Sequence, residues 1–198
     1  MIDTKILLVV PVLSLIGSGS YVRDVLRGRA KPNRVTWVLW ALAPLIAFAA
    51  EIHAGVGLQS LLTFMAGFGP LLVVIASYVS RKAVWKLTKF DFVCGGLSLL
   101  GLVLWLLTRH GDIAIIFAIM ADALAALPTL AKSYREPESE TSFVFMMAII
   151  SSGLTLLTVQ DWTIANAAFA TYILLICVVF VLLIRFRLGR VLSRLLQG

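Results

Sequence analysis

The chain has 198 residues, of which 61% are hydrophobic and only 14% are charged. Because soluble domains carry about 25% charged residues, this composition excludes an ordinary soluble protein and predicts an all-α integral membrane protein. The net charge of +7 does not indicate nucleic-acid binding, since the basic residues lie in loops between apolar runs. Cys94 and Cys177 lie inside apolar runs, so we expect neither a disulfide framework nor a metal site.

Long apolar runs predict seven transmembrane helices. The predicted helices cover residues 5–26, 35–52, 56–80, 90–108, 113–133, 142–158 and 162–184. Each run is continuous rather than alternating, which favours helices over the strands of a membrane barrel.

The basic residues are distributed unevenly among the predicted loops. All but Lys5 and Arg109 of the 17 lysine and arginine residues flank the loops after the first, third and fifth helices or belong to the tail. The positive-inside rule therefore places the N-terminus outside and the C-terminus in the cytoplasm, and we expect a bacterial inner membrane. The tail mixes arginines with leucines, which is typical either of a helix on the anionic leaflet or of a positive-inside stop signal.

One sequence pattern occurs twice: an apolar helix, a basic residue, a short loop with proline, and a second apolar helix. The two copies contain Arg27, Pro32 and Thr36, and Lys132, Pro137 and Thr141. Paired segments in two halves are typical of membrane transporters. We therefore predict two parallel three-helix bundles, residues 1–80 and 112–186, joined by a cytoplasmic loop and linker helix at 81–111 and followed by a basic tail at 187–198.

This arrangement resembles the PQ-loop and SWEET-type transporter superfamily. The Pro-Gln pair of that superfamily stands here as Pro128-Thr129, Arg23-Asp24 occupies the matching place in the first repeat, and core prolines are found at Pro11, Pro44 and Pro128. The resemblance implies a 3+1+3 helix arrangement and transport of a small solute. It also implies that an asparagine pair on the third and seventh helices contacts substrate; here the matching residues are Gln59 and Asn166, with Tyr172 deeper on the seventh helix.

Asp122 is the most informative single residue, because it interrupts the fifth apolar run. A charge at that depth costs roughly 3 kcal/mol on insertion scales and is a functional candidate by default. Burial disfavours the ionised form of a carboxyl group, which suits reversible proton binding; a structural hydrogen bond is the alternative. Its partner must come from another helix, and the polar candidates are Tyr21, Ser18, Ser152 and Asn166. Pro128, in the same run, is a candidate hinge.

Trp37, Trp40 and Pro44 share one face of the second predicted helix. Trp40 lies deep enough to stack on a ring-shaped ligand, Trp37 is predicted to belong to an interfacial aromatic belt, and Pro44 is a second candidate hinge. Ser18 and Ser152 belong to polar stripes that either contact the solute or serve helix packing.

Asp24 and Lys132 are candidates for a cytoplasmic gate, with solvated loop charge as the alternative reading. The three glutamates of the fifth loop, Glu136, Glu138 and Glu140, are predicted to be solvated.

The pattern does not favour an enzyme. His53 and His110 fall in predicted outer loops without a nucleophile or metal-ligand spacing nearby, and we expect no cofactor. The leading interpretation is a transporter of a sugar-, amino-acid- or vitamin-like solute by alternating access, either coupled to protons or facilitated. The alternatives are a non-transporting receptor or sorting module on the same fold and a nicotinamide-riboside-type vitamin-precursor channel. We expect membrane lipids as partners, and homo-oligomerisation stays open.

Overall fold

The computed structural model describes residues 9–53, 60–80, 82, 85–108 and 111–190, and these are organised entirely as helices and connections. The helices are α1 (Val9–Leu26), α2 (Arg34–His53), α3 (Ser60–Val79), α4 (Lys89–Leu107), α5 (Gly111–Arg135), α6 (Phe143–Thr158) and α7 (Phe169–Arg185). A 3-10 turn at Pro137–Ser139 precedes α6, and a π-helical turn at Ile164–Ala168 leads into α7. The described helix bounds lie close to those that the apolar runs predict.

Four of these segments are long and apolar enough to cross a membrane: Val9–Leu26, Lys89–Leu107, Ile115–Arg135 and Asn166–Arg185. Shorter apolar helical segments cover Arg34–Ala49, Thr63–Val79 and Phe143–Thr158. The outward surface is strongly apolar, and Leu107 on α4 is 73% exposed. Such a surface suits lipid rather than water. The predicted all-helical membrane protein is confirmed at this level.

For description, we call α1, α2 and α3 the first helix group and α5, α6 and α7 the second. In the first group α3 packs against α1 and α2, and in the second α7 packs against α5 and α6. Contacts between α1 and α6 and between α2 and α5 join the groups, while α4 packs against α5 and α2.

Small residues allow the helices to approach closely. A Cβ atom at Gly69 on α3 would lie 2.3 Å from the Ser18 hydroxyl oxygen on α1. A Cβ atom at Gly101 on α4 would lie 3.0 Å from the Cβ atom of Ala121 on α5. Without an aqueous hydrophobic effect, close van der Waals packing of this kind is a main source of helix association in lipid.

The connections after α1, α3 and α5 meet at one end of the molecule, which we call the basic end. The Ser80 hydroxyl donates to the carbonyl oxygen of Val25 at 3.0 Å. The Asn33 side-chain amide donates to Asp91 Oδ1 at 2.8 Å, and the Lys31 amide donates to the Ser139 carbonyl oxygen at 2.8 Å. These bonds hold the ends of both helix groups and the start of α4 together.

The segment that follows α7 also lies at the basic end. Arg190 donates from Nη2 to Glu138 Oε2 at 2.7 Å, and Arg187 Nη2 lies 3.6 Å from Glu138 Oε1. Two arginines of the predicted membrane-binding tail are thus paired with the connection between α5 and α6. Residues 191–198 of that tail lie outside the described residues.

Candidate functional site

A cavity of about 520 Å³ lies between the two helix groups. Side chains of α1, α2, α3, α5, α6 and α7 line it. Five of the residues predicted to bind the solute, couple protons or act as hinges are among them: Ser18, Trp40, Pro44, Asp122 and Ser152. Pro11 and Trp37 also line the cavity. The lining also includes Val10 near the start of α1 and Phe169 at the start of α7, so the cavity extends away from the basic end.

Five aromatic side chains form a layer between this cavity and the basic end. The layer consists of Tyr21, Trp37, Trp40, Phe145 and Phe180. Ring centroids are 4.5 Å apart for Tyr21 and Trp37, and 5.2 Å apart for Trp37 and Trp40. Trp40 packs edge-on against Phe180 at 6.0 Å, and Phe180 stacks on Phe145 at 4.3 Å. Because the rings come from α1, α2, α6 and α7, this aromatic layer joins both helix groups.

The positions of the two tryptophans in the layer can be compared with the predictions made from the sequence. Trp37 is only 2% exposed, so its prediction as an interfacial belt residue is wrong. Trp40 lines the cavity, as a ligand-stacking residue must. The indole nitrogens of both residues are buried, and neither makes a hydrogen bond of ordinary geometry among the described residues. The Trp40 side chain nevertheless interacts with the Asp122 carboxyl group, so it is a second neutral donor beside Tyr172.

Asp122 contributes the one carboxyl group to the described lining of the cavity. Its Oδ2 atom accepts a 2.6 Å hydrogen bond from the Tyr172 hydroxyl on α7. The partner predicted from sequence was wrong, since Tyr172 takes the place that was assigned to Tyr21, Ser18, Ser152 or Asn166. No lysine or arginine forms an ion pair with Asp122 among the described residues.

Hydroxyl groups from α1 and α6 complete the polar part of the cavity lining: Ser14, Ser18, Ser151, Ser152 and Thr155. The Ser152 hydroxyl donates to the Ala148 carbonyl oxygen at 2.7 Å, and that of Thr155 donates to the Ser151 carbonyl oxygen at 2.9 Å. Both hydroxyl oxygens remain free to accept a bond from a solute. The Ser151 hydroxyl is buried without a partner among the described residues.

A buried ionic cluster lies beyond the aromatic layer, at the basic end. Lys132 Nζ on α5 lies 2.5 Å from Glu140 Oε1, and the two residues are only 2% and 7% exposed. The Tyr21 hydroxyl donates to Glu140 Oε2, and Lys132 also donates to the carbonyl oxygen of Lys31. We call Lys132, Glu140 and Tyr21 the charge lock, because they join α5, the α5–α6 connection and α1.

The charge lock changes two sequence interpretations. Lys132 pairs with Glu140 rather than with Asp24, whose Oδ1 instead lies 3.5 Å from Arg23 Nε. Glu140 was predicted to be solvated, but it is buried, whereas Glu138 is exposed. Its position in the sequence could have indicated this burial, because Glu140 is the acid nearest to the start of the sixth apolar run.

Pro128, a candidate hinge, lies buried in α5 beside a contact between the helix groups. A proline within a helix removes a backbone donor and weakens the helix there. The Thr36 hydroxyl on α2 donates to the Ala125 carbonyl oxygen at 2.7 Å, and the Thr129 hydroxyl donates to the Thr36 hydroxyl at 3.0 Å. The two threonines thus support α5 where the proline weakens it. Pro44, the other candidate hinge, lines the cavity.

The remaining predicted substrate residues lie elsewhere. Asn166 is exposed on the π-helical turn, where its side-chain amide donates to the Asp161 carbonyl oxygen at 3.0 Å, and it does not line the cavity. Tyr172 lines a separate open groove with Thr171 and reaches the cavity through its bond to Asp122. Gln59 lies outside the described residues.

Comparisons of the chain with protein-family models, curated proteins and solved structures find no match. Over the part of the chain that the structure describes, no three His, Cys, Asp or Glu side chains come together as a metal site. The function is therefore inferred from the cavity, the aromatic layer and the charge lock.

Proposed function

We propose that this protein is a membrane transporter that carries a small polar solute by alternating access. One observation carries the proposal: a cavity between two helix groups is separated from the basic end by the aromatic layer and the charge lock. Alternating access requires a central site whose access on either side depends on how two helix groups meet. Here the separating residues come from both groups, so rocking of the groups would open the cavity to the basic end.

The helix contacts favour a 3+1+3 arrangement. If the chain contains two equivalent repeats, α1, α2 and α3 correspond to α5, α6 and α7. The contact between α1 and α6 then has an equivalent between α5 and α2, and both contacts occur. The contacts of α3 within the first group likewise correspond to those of α7 within the second. This is the pattern expected of two parallel repeats with α4 as the linker helix. It supports seven membrane-spanning helices and a relationship to the PQ-loop and SWEET-type superfamily.

Loop charge supports an orientation for this transporter. Lysine and arginine residues are concentrated in the connections at the basic end, which the positive-inside rule assigns to the cytoplasm. The N-terminus then lies outside, and the cavity extends toward the outside. The described conformation is accordingly an outward-facing state in a bacterial inner membrane.

Asp122 is the proposed site of proton coupling. Its carboxyl group lies in the cavity, accepts a bond from Tyr172 and has no ion-pair partner among the described residues. A buried ionised group needs a counter-charge, and a group without one is neutralised instead. Proton binding and release at Asp122 would therefore follow the changing access of water to the cavity.

The test is solute flux in proteoliposomes. Thermal-shift screening of sugars, amino acids, nucleosides and vitamins against purified protein would first identify a ligand, because a ligand that binds only the folded state raises its Tm. Saturable uptake of that ligand into proteoliposomes, increased by an imposed pH gradient, is the expected result. Binding without flux would instead identify a receptor or sorting module, and flux that never saturates would identify a channel.

A further inference from the structure

We propose that the transported solute is a small organic cation with a ring-shaped or apolar body, and that Asp122 is its counter-charge. This inference rests on the transport function proposed above and specifies the solute class for the same cavity. Three features support it: the charge of the cavity lining, the lack of a counter-charge for Asp122 among the described residues, and the chemistry of the surrounding walls.

The charge of the lining favours a cation over an anion. Asp122 is its single ionisable carboxyl group, and lysine, arginine and histidine are all missing from the described lining. A solute that carried a carboxylate or phosphate would meet no positive side chain here and would be repelled by Asp122 in its ionised form. Such repulsion between like charges is a strong means of excluding a ligand.

Asp122 lacks the compensation that buried charges ordinarily have. The buried carboxylate of Glu140 has an ammonium group 2.5 Å away, whereas the partners of Asp122 among the described residues are neutral: the Tyr172 hydroxyl at 2.6 Å and the Trp40 side chain. A charged hydrogen-bond donor on the solute would supply the missing counter-charge. Charge-assisted hydrogen bonds are roughly twice as strong as neutral ones, so this contact would favour a cation over a neutral solute of the same shape.

The walls of the cavity suit the rest of such a solute. Trp40, Phe145 and Phe180 of the aromatic layer all line the cavity, and Trp40 packs edge-on against the other two rings. Aromatic faces attract cations through the quadrupole of the ring, most strongly when water is excluded. The hydroxyl oxygens of Ser152 and Thr155, which also line the cavity, can accept hydrogen bonds from an amine. The volume of about 520 Å³ lies within the usual range for a small-molecule site.

A proton and a cationic solute would compete for the same carboxyl group. The titratable groups nearest to Asp122 are Tyr172 and Cys177, both on α7. The side chains that α2 and α4 place near Asp122 are Trp40 and Ser98, and neither is titratable. Protonated Asp122 would release its proton to water as the cation binds, so one positive charge replaces another. Transport would then exchange the cation for a proton.

The test compares three probes that share one body: phenethylamine, 2-phenylethanol and phenylacetate. Isothermal titration calorimetry on the purified full chain near neutral pH should show the amine binding at least about tenfold more tightly than the alcohol or the acid. Asp122→Asn should remove this preference, and lowering the pH should weaken amine binding only when Asp122 is present. Asp112→Asn, the same change at an exposed aspartate of α5 that does not line the cavity, should leave the order of the three probes unchanged.

Three outcomes would overturn the inference. The amine and the alcohol could bind equally, or none of the three probes could bind. The third is an amine preference that survives in a folded Asp122→Asn variant. Size-exclusion chromatography and thermal unfolding establish that the variant is folded. Saturable flux of a neutral or anionic solute would reject the cation assignment and leave the transport proposal intact. Amine preference without flux in proteoliposomes would reject the transport proposal alone.

Discussion

Lys132 and Glu140 form an ion pair in which Nζ and Oε1 are 2.5 Å apart and the two side chains are only 1% and 0% exposed. Glu140 also accepts a hydrogen bond from the Tyr21 hydroxyl on α1, so this ion pair is bonded to the first helix group. A buried pair whose remaining polar atoms are bonded holds its members strongly in place, because separating them leaves an isolated charge. This ion pair therefore joins the two helix groups at the basic end.

Replacing one member of the Lys132–Glu140 ion pair should destabilise the protein more than replacing both members. Lys132→Met or Glu140→Gln alone leaves an uncompensated buried charge, which costs about 3–5 kcal/mol. The double variant leaves no such charge and should have a higher Tm than either single variant. Thermal unfolding in detergent measures the three values. The exposed Glu138–Arg190 pair is the matched control, and Glu138→Gln should lower Tm much less than either single variant of the buried pair.

Additive losses would contradict this expectation. If the double variant loses the sum of the two single effects, Lys132 and Glu140 contribute independently and do not act as a pair.

Trp40 should contribute to both binding and stability, and two substitutions separate the contributions. Trp40→Phe keeps a ring in the aromatic layer and removes the indole N–H group that lies beside Asp122, so it should weaken solute binding with little change in Tm. Trp40→Ala also removes contacts with Trp37, Phe145 and Phe180 and should cost about 3 kcal/mol of stability. Titration calorimetry and thermal unfolding measure the two effects. Unchanged affinity in a folded Trp40→Phe variant would remove the indole nitrogen from the site.

Thr36→Val should loosen the contact between the helix groups beside Pro128. The substitution keeps the side-chain volume but removes the bond to the Ala125 carbonyl oxygen and the acceptor for Thr129. The expected loss is about 1–2 kcal/mol, the usual effect of removing a buried hydrogen-bond partner. Thr155→Val is the control, since that hydroxyl bonds within its own helix. Equal Tm values for the two variants would show that the inter-group bond contributes nothing specific.

The segment after α7 should detach from the basic end in acid. Its own backbone amide, with Arg190 and Arg187, holds the pKa of the exposed Glu138 carboxyl below the ordinary value of 4.5. Because the pKa is lowered in the folded protein, this stabilisation is present above pH 4.5 and is lost as the pH falls through the lowered value. A nitroxide label at Leu188 should become more mobile over that pH range. In Glu138→Gln the label should be mobile at every pH, and identical profiles would exclude a role for the carboxyl group.

The composition of the cavity could be predicted in good part from the sequence. Asp122 was recognisable because an acid in an apolar run is rare and costly. Trp40 and Pro44 share a helical face because of their spacing, and both line the cavity. The helix ends followed the apolar runs because the membrane requires a minimum length of apolar helix.

Contacts between helices were harder to predict. A helix that is apolar on all sides has no periodic pattern that fixes its rotation against its neighbours. For that reason the Asp122–Tyr172 bond, the burial of Trp37 and the Lys132–Glu140 pair were missed, although each residue type was noticed. Glu140 was grouped with its solvated neighbours because loop composition does not show which acid turns inward.

The measurement that tests the central claim most directly is the accessibility of the cavity from its two sides. A cysteine at Ser152 reports on the cavity once Cys94 and Cys177, both free and buried, are replaced by alanine. A membrane-impermeant maleimide is applied to either face of proteoliposomes, and a cysteine at Arg29 identifies the face of the basic end. With the charge lock intact, labelling should be fast from the opposite face and slow from the basic end. In the Lys132→Met and Glu140→Gln double variant, labelling from the basic end should rise about tenfold or more while labelling from the opposite face falls. Rates that rise together from both faces, or that do not change, would contradict alternating access.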